Sequence, residues 1–527
     1  MSYPSGFSLF KQSKTISEEN RTYAEVARSI RNRLRRYNLK SIINIGLKKL
    51  ARSHSNKRQE LLTMPWLVAL VIKLAIEDSL VGMEVGEECT ESEFVSCCND
   101  IWNSKQNLDV PVQVMLLGLR SSMHTQLIFQ NPESLGFLRW SALISRLDRE
   151  NPSYILFERV FKMSPDDFML SATLLMSQFK AQSPSQPLNL KIYSGLNEKL
   201  IIPFIGVIDI FSKSLVELRK LLKDELRSRL QDGQSARPNS EKNEFPWLAK
   251  YPILKLDENY IQAWSSTIFF HGIEEAVHNR LSMFGQEYTD SFSKVFESYV
   301  IELIRESSVH PITDEDFKKI GNKGMNAVDA LIPSKLGNVF IESKMSLFPD
   351  DVLLSDKPFI VKRKLKRIRE AIVQGWKVGD LIRTEEIKIA DAKYAVNDYL
   401  IIVTSRQLLF GNGIHLQRWI DEQFFNSILP ESRFFAPSEV QLSHMPPQNI
   451  VILSIDEFEH LVGAVKSGKT TYLSFVKRYS EIVLDPETSK LLADQLIADD
   501  VDKWYVPDLI RKSGEDIQNR VKDILKV

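Results

Sequence analysis

Cysteine is nearly absent from this chain. Its 527 residues hold three, Cys89, Cys97 and Cys98. An odd count with two neighbours excludes a disulfide framework, and no CxxC pair exists to bind zinc. A reducing cytoplasm is the expected setting. Net charge is absent too: 68 Lys and Arg balance 68 Asp and Glu. Overall charge therefore argues neither for nor against a polyanionic partner, and any such argument must come from local patches. No apolar run is long enough to span a bilayer. The best candidate, Trp66–Ala75, is too short and contains Lys73, so a buried helix and no membrane association are expected. The first residues, MSYPSGFSLFKQSK, lack the apolar core of a signal peptide. The histidines are scattered with no HxxxH spacing, so His271 and His278 read as structural or surface residues. No G-x-S-x-G element supports a serine hydrolase.

What is present is a soluble-protein composition, 43% apolar and 26% charged, on a chain too long for one core. Residues 1 to about 235 read as mostly helical. Apolar residues recur at three and four in Trp66–Leu80, Val112–Leu119, Phe137–Leu147 and Phe168–Phe179. Gln182–Pro187 reads as a loop. Gln231–Asn243, polar and holding Gly and Pro, follows a charged helix over Leu215–Leu230 and reads as a linker. Beyond it, from 245 to 527, the pattern changes. A helix over Asp290–Arg305 precedes β-type runs at Ala327–Ile332, Val339–Ser343, Tyr399–Thr404 and Ile450–Leu453. One long helix, roughly Phe359–Arg383, lies between the second and third of these. The order predicts an α/β domain, a mixed sheet flanked by helices, behind a helical N-terminal region.

Charge inside two of the apolar runs is the strongest functional signal. Asp329 interrupts Val328–Ile332, and Glu342-Ser343-Lys344 ends Val339–Lys344, thirteen positions later. Pro333–Asn338 supplies turn chemistry between them. Side chains alternate along a strand, so Glu342 and Lys344 share a face, and a hairpin brings Asp329 beside Glu342. Such charges are costly in apolar strands unless paired or bound to metal. A Mg²⁺ ion takes one or two carboxylates with water and phosphate. A lysine beside it can orient water or stabilise charge on a phosphorane. Two acids and a lysine thus suit metal-dependent phosphodiester hydrolysis.

Asp329, Glu342 and Lys344 resemble the PD-(D/E)xK nuclease superfamily, the restriction-endonuclease-like fold, over about residues 285–410. The resemblance implies a Mg²⁺ or Mn²⁺ cofactor held by Asp329 and Glu342, with Lys344 catalytic. It implies a nucleic-acid partner, DNA ahead of RNA, and a role such as that of bacterial anti-phage defence nucleases. A further glutamate is expected from the preceding helix. Glu297 and Glu302 flank its apolar stripe, and the Phe296-Glu297 spacing favours Glu297. Gln374, on the following helix, matches a glutamine that faces such sites. Lys362, Arg363, Lys366 and Arg367 on the same helix are candidates for phosphate contacts. The alternative is a nuclease-like module that binds nucleic acid or protein without cutting. The helical region would sense, restrain or make a homo-oligomer.

Two other signals carry less. Gly463–Thr470 spells a P-loop, but Ser454-Ile455-Asp456-Glu457 opens a helix before it, and a P-loop must follow a strand. ATP or GTP binding is not expected. The basic stretch from Arg21 to Arg58, with acidic residues at 77–100, reads either as a solvated helix face or as a phosphate or partner contact.

Overall fold

The computed structural model describes residues 21–51, 64–104, 111–129, 136–181, 186–195, 197–231, 235, 241–242, 246–320, 327–345, 350–355, 357–389, 392, 395, 397–419, 444–484, 493–498 and 505–525. Most of the expected linker at Gln231–Asn243 and of the loop at Gln182–Pro187 lies outside them. The chain is mostly helical, with two small mixed sheets.

The first sheet is not foreseen by the hydrophobic pattern. Strands β1 (Leu188–Asn189), β2 (Ser212–Lys213), β3 (Ile253–Lys255) and β4 (Tyr260–Ala263) pair in the order β1-β4-β3-β2. Asp257 closes the β3–β4 hairpin, its Oδ1 accepting the Asn259 and Tyr260 amides at 2.7 and 2.9 Å.

The second sheet carries the charged residues. Its strands are β5 (Ile312–Thr313), β6 (Ala330–Ile332), β7 (Asn338–Lys344), β8 (Asp398–Thr404) and β9 (Ile450–Ser454), in chain order across the sheet. β5, β6 and β7 run antiparallel; β7, β8 and β9 run parallel. Both faces are covered, which is why β8 reads as one apolar run rather than an alternation. Val339, Ile341, Ile401, Val403 and Val451 enter a core with the helix Gln286–Glu306 and the helices Ile455–Lys466 and Tyr472–Leu484. Phe340, Leu400, Ile402 and Ile452 enter the opposite core, against helix Lys366–Arg383.

The expected single helix over Phe359–Arg383 is two helices, Pro358–Lys364 and Lys366–Arg383, joined at Leu365. Leu365 turns fully into the core, and its amide bonds back to the Val361 and Lys362 carbonyls at 3.2 Å, closing the first helix.

Packing crosses residue 235 in both directions. Helices over 136–211 share the core of the second sheet. Helices over 23–102 share theirs with Leu218, Leu222, Trp247, Leu254 and Trp264. Trp66–Ala75 lies in the helix Pro65–Glu77, buried from Leu67 onward, where Lys73 pairs with Glu241 at 2.9 Å. Among the described residues no helix is long and apolar enough to cross a membrane.

Candidate active site

Glu342 sits on β7 after three fully buried apolar residues and is itself fully buried. Lys344, two residues on and on the same face, donates its ammonium to Glu342 Oε2. Glu342 Oε1 has no hydrogen-bond partner among the described residues. The β6–β7 ladder pairs Ile332 with Val339, Leu331 with Phe340 and Ala330 with Ile341. The ladder ends there: Asp329 is a bend one residue before β6, and from that position its charge acts on Glu342. Asp329 is held there by Ser343, whose amide and hydroxyl both donate to its Oδ2 at 2.6 Å.

The electrostatics follow from burial. Burial, and then the charge of Asp329, push the Glu342 carboxyl up to about 8, with Lys344 opposing. Burial raises Asp329 as well, against the pull of Lys344 and the Ser343 hydrogen bonds. Burial works against the Lys344 ammonium, but Glu342 and Asp329 outweigh it and its pKa rises. Glu297, half-buried on the helix Gln286–Glu306, is pushed up to about 7 by burial, then by Asp329 and Asp314. Glu297 thus feels the charges of Asp329 and Lys344. Glu302 is engaged elsewhere: both its oxygens pair with Arg146, at 3.1 and 3.4 Å.

Three neighbours are not evident from the sequence pattern. Ser343 reads there only as the spacer between glutamate and lysine. Asp314 opens the helix Asp314–Ile320 after β5, pairs with Lys318, and lends its charge to Glu297 and Asp329. The acidic run Asp314-Glu315-Asp316 is its one local signal. Glu370 acts on Lys344 from the first turns of the helix Lys366–Arg383 and lies 3.7 Å from Lys366.

Gln374 donates to the Ala327 carbonyl, so it steadies the segment leading into Asp329. Arg363, Lys366 and Arg367 are exposed, while Lys362 is half-buried. Glu370, four residues into the helix Lys366–Arg383, acts electrostatically on Lys344.

The other two signals resolve differently. The P-loop letters begin inside the helix Ile455–Lys466, opened by the Ser454–Glu457 capping box. A Cβ on Gly463 would lie 2.3 Å from the Tyr505 side chain, so the close approach of Tyr505 accounts for that glycine. The basic stretch meets the acidic one. Arg31 and Arg35 pair with Asp78 at 3.2 and 2.9 Å, Arg33 with Glu93 at 2.9 Å and with Asp100, and Lys49 with Glu91 at 2.7 Å. These charges serve each other; residues 52–58 of the basic stretch lie outside the described residues. The cysteines are free, and burial raises all three thiols. His278 is buried, 3.0 Å from the Tyr288 hydroxyl and packed on Trp140.

Among the described residues no group of three or more His, Cys, Asp or Glu side chains could hold a metal ion. A hard cation that keeps several waters needs fewer: one or two carboxylates suffice for Mg²⁺. The buried, unpartnered Glu342 Oε1 beside Asp329 fits that demand. No family model, curated protein or solved structure matches the chain.

Proposed function

We propose that the chain is a metal-dependent nuclease that hydrolyses phosphodiester bonds, in DNA ahead of RNA, at the Asp329–Glu342–Lys344 site. The observation that carries this reading is Glu342. Its buried carboxylate has one oxygen on Lys344 and the other without a hydrogen bond among the described residues, although the Asp329 amide also favours the charged form. That arrangement is costly to keep unless a cation completes it. Asp329 and Glu342 would hold Mg²⁺ or Mn²⁺. When bound, the ion polarises the phosphate and lowers the pKa of its water. Lys344 supplies positive charge where negative charge develops on the phosphorane. Glu297, raised to about 7, can take or return a proton near neutral pH. Ser343 keeps Asp329 in register. A defence role rests on the family resemblance alone.

The test incubates the full chain with plasmid, linear DNA and RNA in Mg²⁺, Mn²⁺ or EDTA, beside Glu342→Gln and Lys344→Ala. Expected are cutting that stops in EDTA and a loss of about a hundredfold or more in either variant. Equal cutting by wild type and variants would remove the catalytic assignment. Binding without cutting in every metal would favour the non-enzymatic module.

A further inference from the structure

The segment from Lys357 to Arg369 carries seven basic residues and no carboxylate. Arg363, Lys364, Lys366 and Arg367 in it are exposed. In their midst Phe359, in the first turn of Pro358–Lys364, is 68% exposed. A single exposed aromatic means little by itself. Here it stands beside a run of cations that attracts phosphate, on the helix that leads into Lys366–Arg383, whose Glu370 acts on Lys344. From Phe359 to Arg363 is about 6 Å along one helix. A basic track with an exposed ring is the arrangement by which proteins hold single strands: cations follow the backbone and the ring takes a base. The neighbouring helix Val112–Leu127 exposes Met115 and Leu119, so a second copy of this chain is the rival occupant. A two-fold contact there would set the basic segment of one copy against that of the other, and like charges oppose it.

We propose that Phe359 is a stacking platform for an unpaired base, and that the Asp329–Glu342 site acts on single-stranded or locally unpaired nucleic acid. The second half of this inference rests on the nuclease reading; the stacking does not.

The experiment measures binding in EDTA, where the proposed cutting cannot occur. A single-stranded 20-mer and its blunt duplex, each end-labelled, are titrated with wild type, Phe359→Ala and Phe359→Tyr, with fluorescence anisotropy as readout. A second single strand carries 2-aminopurine, whose emission is quenched on stacking. Expected is about tenfold weaker single-strand binding by Phe359→Ala. Duplex binding should stay unchanged, quenching should be lost, and Phe359→Tyr should restore both quenching and affinity. Equal loss on both substrates, no loss on either, or no nucleic-acid binding at all would overturn it. So would a change in solution mass of Phe359→Ala, which would mark the ring as a contact between copies. An absence of metal-dependent cutting would refute the nuclease reading and leave the stacking result standing.

Discussion

Ser343 holds Asp329 with two donors at once, its amide and its hydroxyl, both 2.6 Å from one carboxylate oxygen. Glu342, one residue earlier on β7, feels the Asp329 charge and keeps one oxygen without a hydrogen bond among the described residues. The spacer residue of the Glu-x-Lys sequence thus fixes the geometry between the two acids.

Ser343→Ala removes the hydroxyl and keeps the amide. Asp329 then has one tether, and groups that orient metal ligands typically contribute 10- to 100-fold. The expected outcome is a rise of about tenfold in the Mg²⁺ concentration needed for half-maximal cutting, with thermal stability little changed. Ser343→Thr, which keeps a hydroxyl, should recover part of the loss. A metal requirement identical to wild type would show that the amide alone positions Asp329.

The raised Glu342 carboxyl gives a pH dependence with a definite sign. Its ordinary value is 4.5 and its folded value about 8. Between these the folded state keeps a proton that the unfolded chain has released. Stability from this group is full below the ordinary value and is lost as pH rises toward about 8. In EDTA the melting temperature of wild type should therefore fall from pH 5 to pH 8, and more steeply than that of Glu342→Gln. Mg²⁺ binding requires the ionised carboxylate, so the Mg²⁺-induced rise in melting temperature should grow over the same range. Superimposable profiles for wild type and Glu342→Gln would refute the assignment of the shift to Glu342.

Much of this site is legible in the sequence because its signals are local. The runs around Asp329 and Glu342 are apolar enough to be strands, and period-two alternation alone places Glu342 with Lys344. The turn from Pro333 to Asn338 fixes their antiparallel pairing. What escapes the sequence is set by contacts between distant residues. Strands β1 and β2 have two residues each, too few to show a period, and exist only through their partners. The break at Leu365 follows from the core it enters. The pairing of Arg31 and Arg35 with Asp78 ties part of a candidate phosphate patch to acidic residues more than forty positions away. Helices over 136–211 look like part of a separate region, yet they fill one face of the second sheet. Glu297 and Glu302 flank the same apolar stripe, and residues far away in sequence separate them: Asp329 acts on Glu297, and Arg146 pairs with Glu302.

The helix that carries Glu297 is anchored by a buried ionic network. Arg139, 1% exposed, donates at 2.6 Å to both oxygens of Glu459 and to Asp456. The Tyr299 hydroxyl donates to Glu459 at 2.6 Å from the turn that bears Glu297. Removing one partner strands the other as a buried charge. Arg139→Ala should cost about 3–5 kcal/mol in chemical denaturation, and Arg139→Met with Glu459→Met should cost much less than Arg139→Ala. If Arg139→Ala is as stable as wild type, the network is not holding this helix.

Arg120 poses the opposite case. It is 1% exposed on the helix Val112–Leu127, and burial alone pushes its guanidinium down to about 9. Its Nε donates to the Leu408 carbonyl at 2.9 Å and its guanidinium carbon lies 4.6 Å from the centroid of the Phe410 ring, while Nη1 has no partner among the described residues. No described carboxylate offsets the charge. Desolvating an unpaired cation costs several kcal/mol, more than one hydrogen bond and a cation–π contact return. Apolar replacement of similar length should therefore be neutral or stabilising, with Arg120→Met raising the melting temperature by about a few degrees. Arg120→Lys keeps the charge and loses both the planar stack and the Nε bond, so it should fall below wild type. A destabilised Arg120→Met would show that the Leu408 and Phe410 contacts outweigh the buried charge, making Arg120 a net stabiliser of the loop after β8.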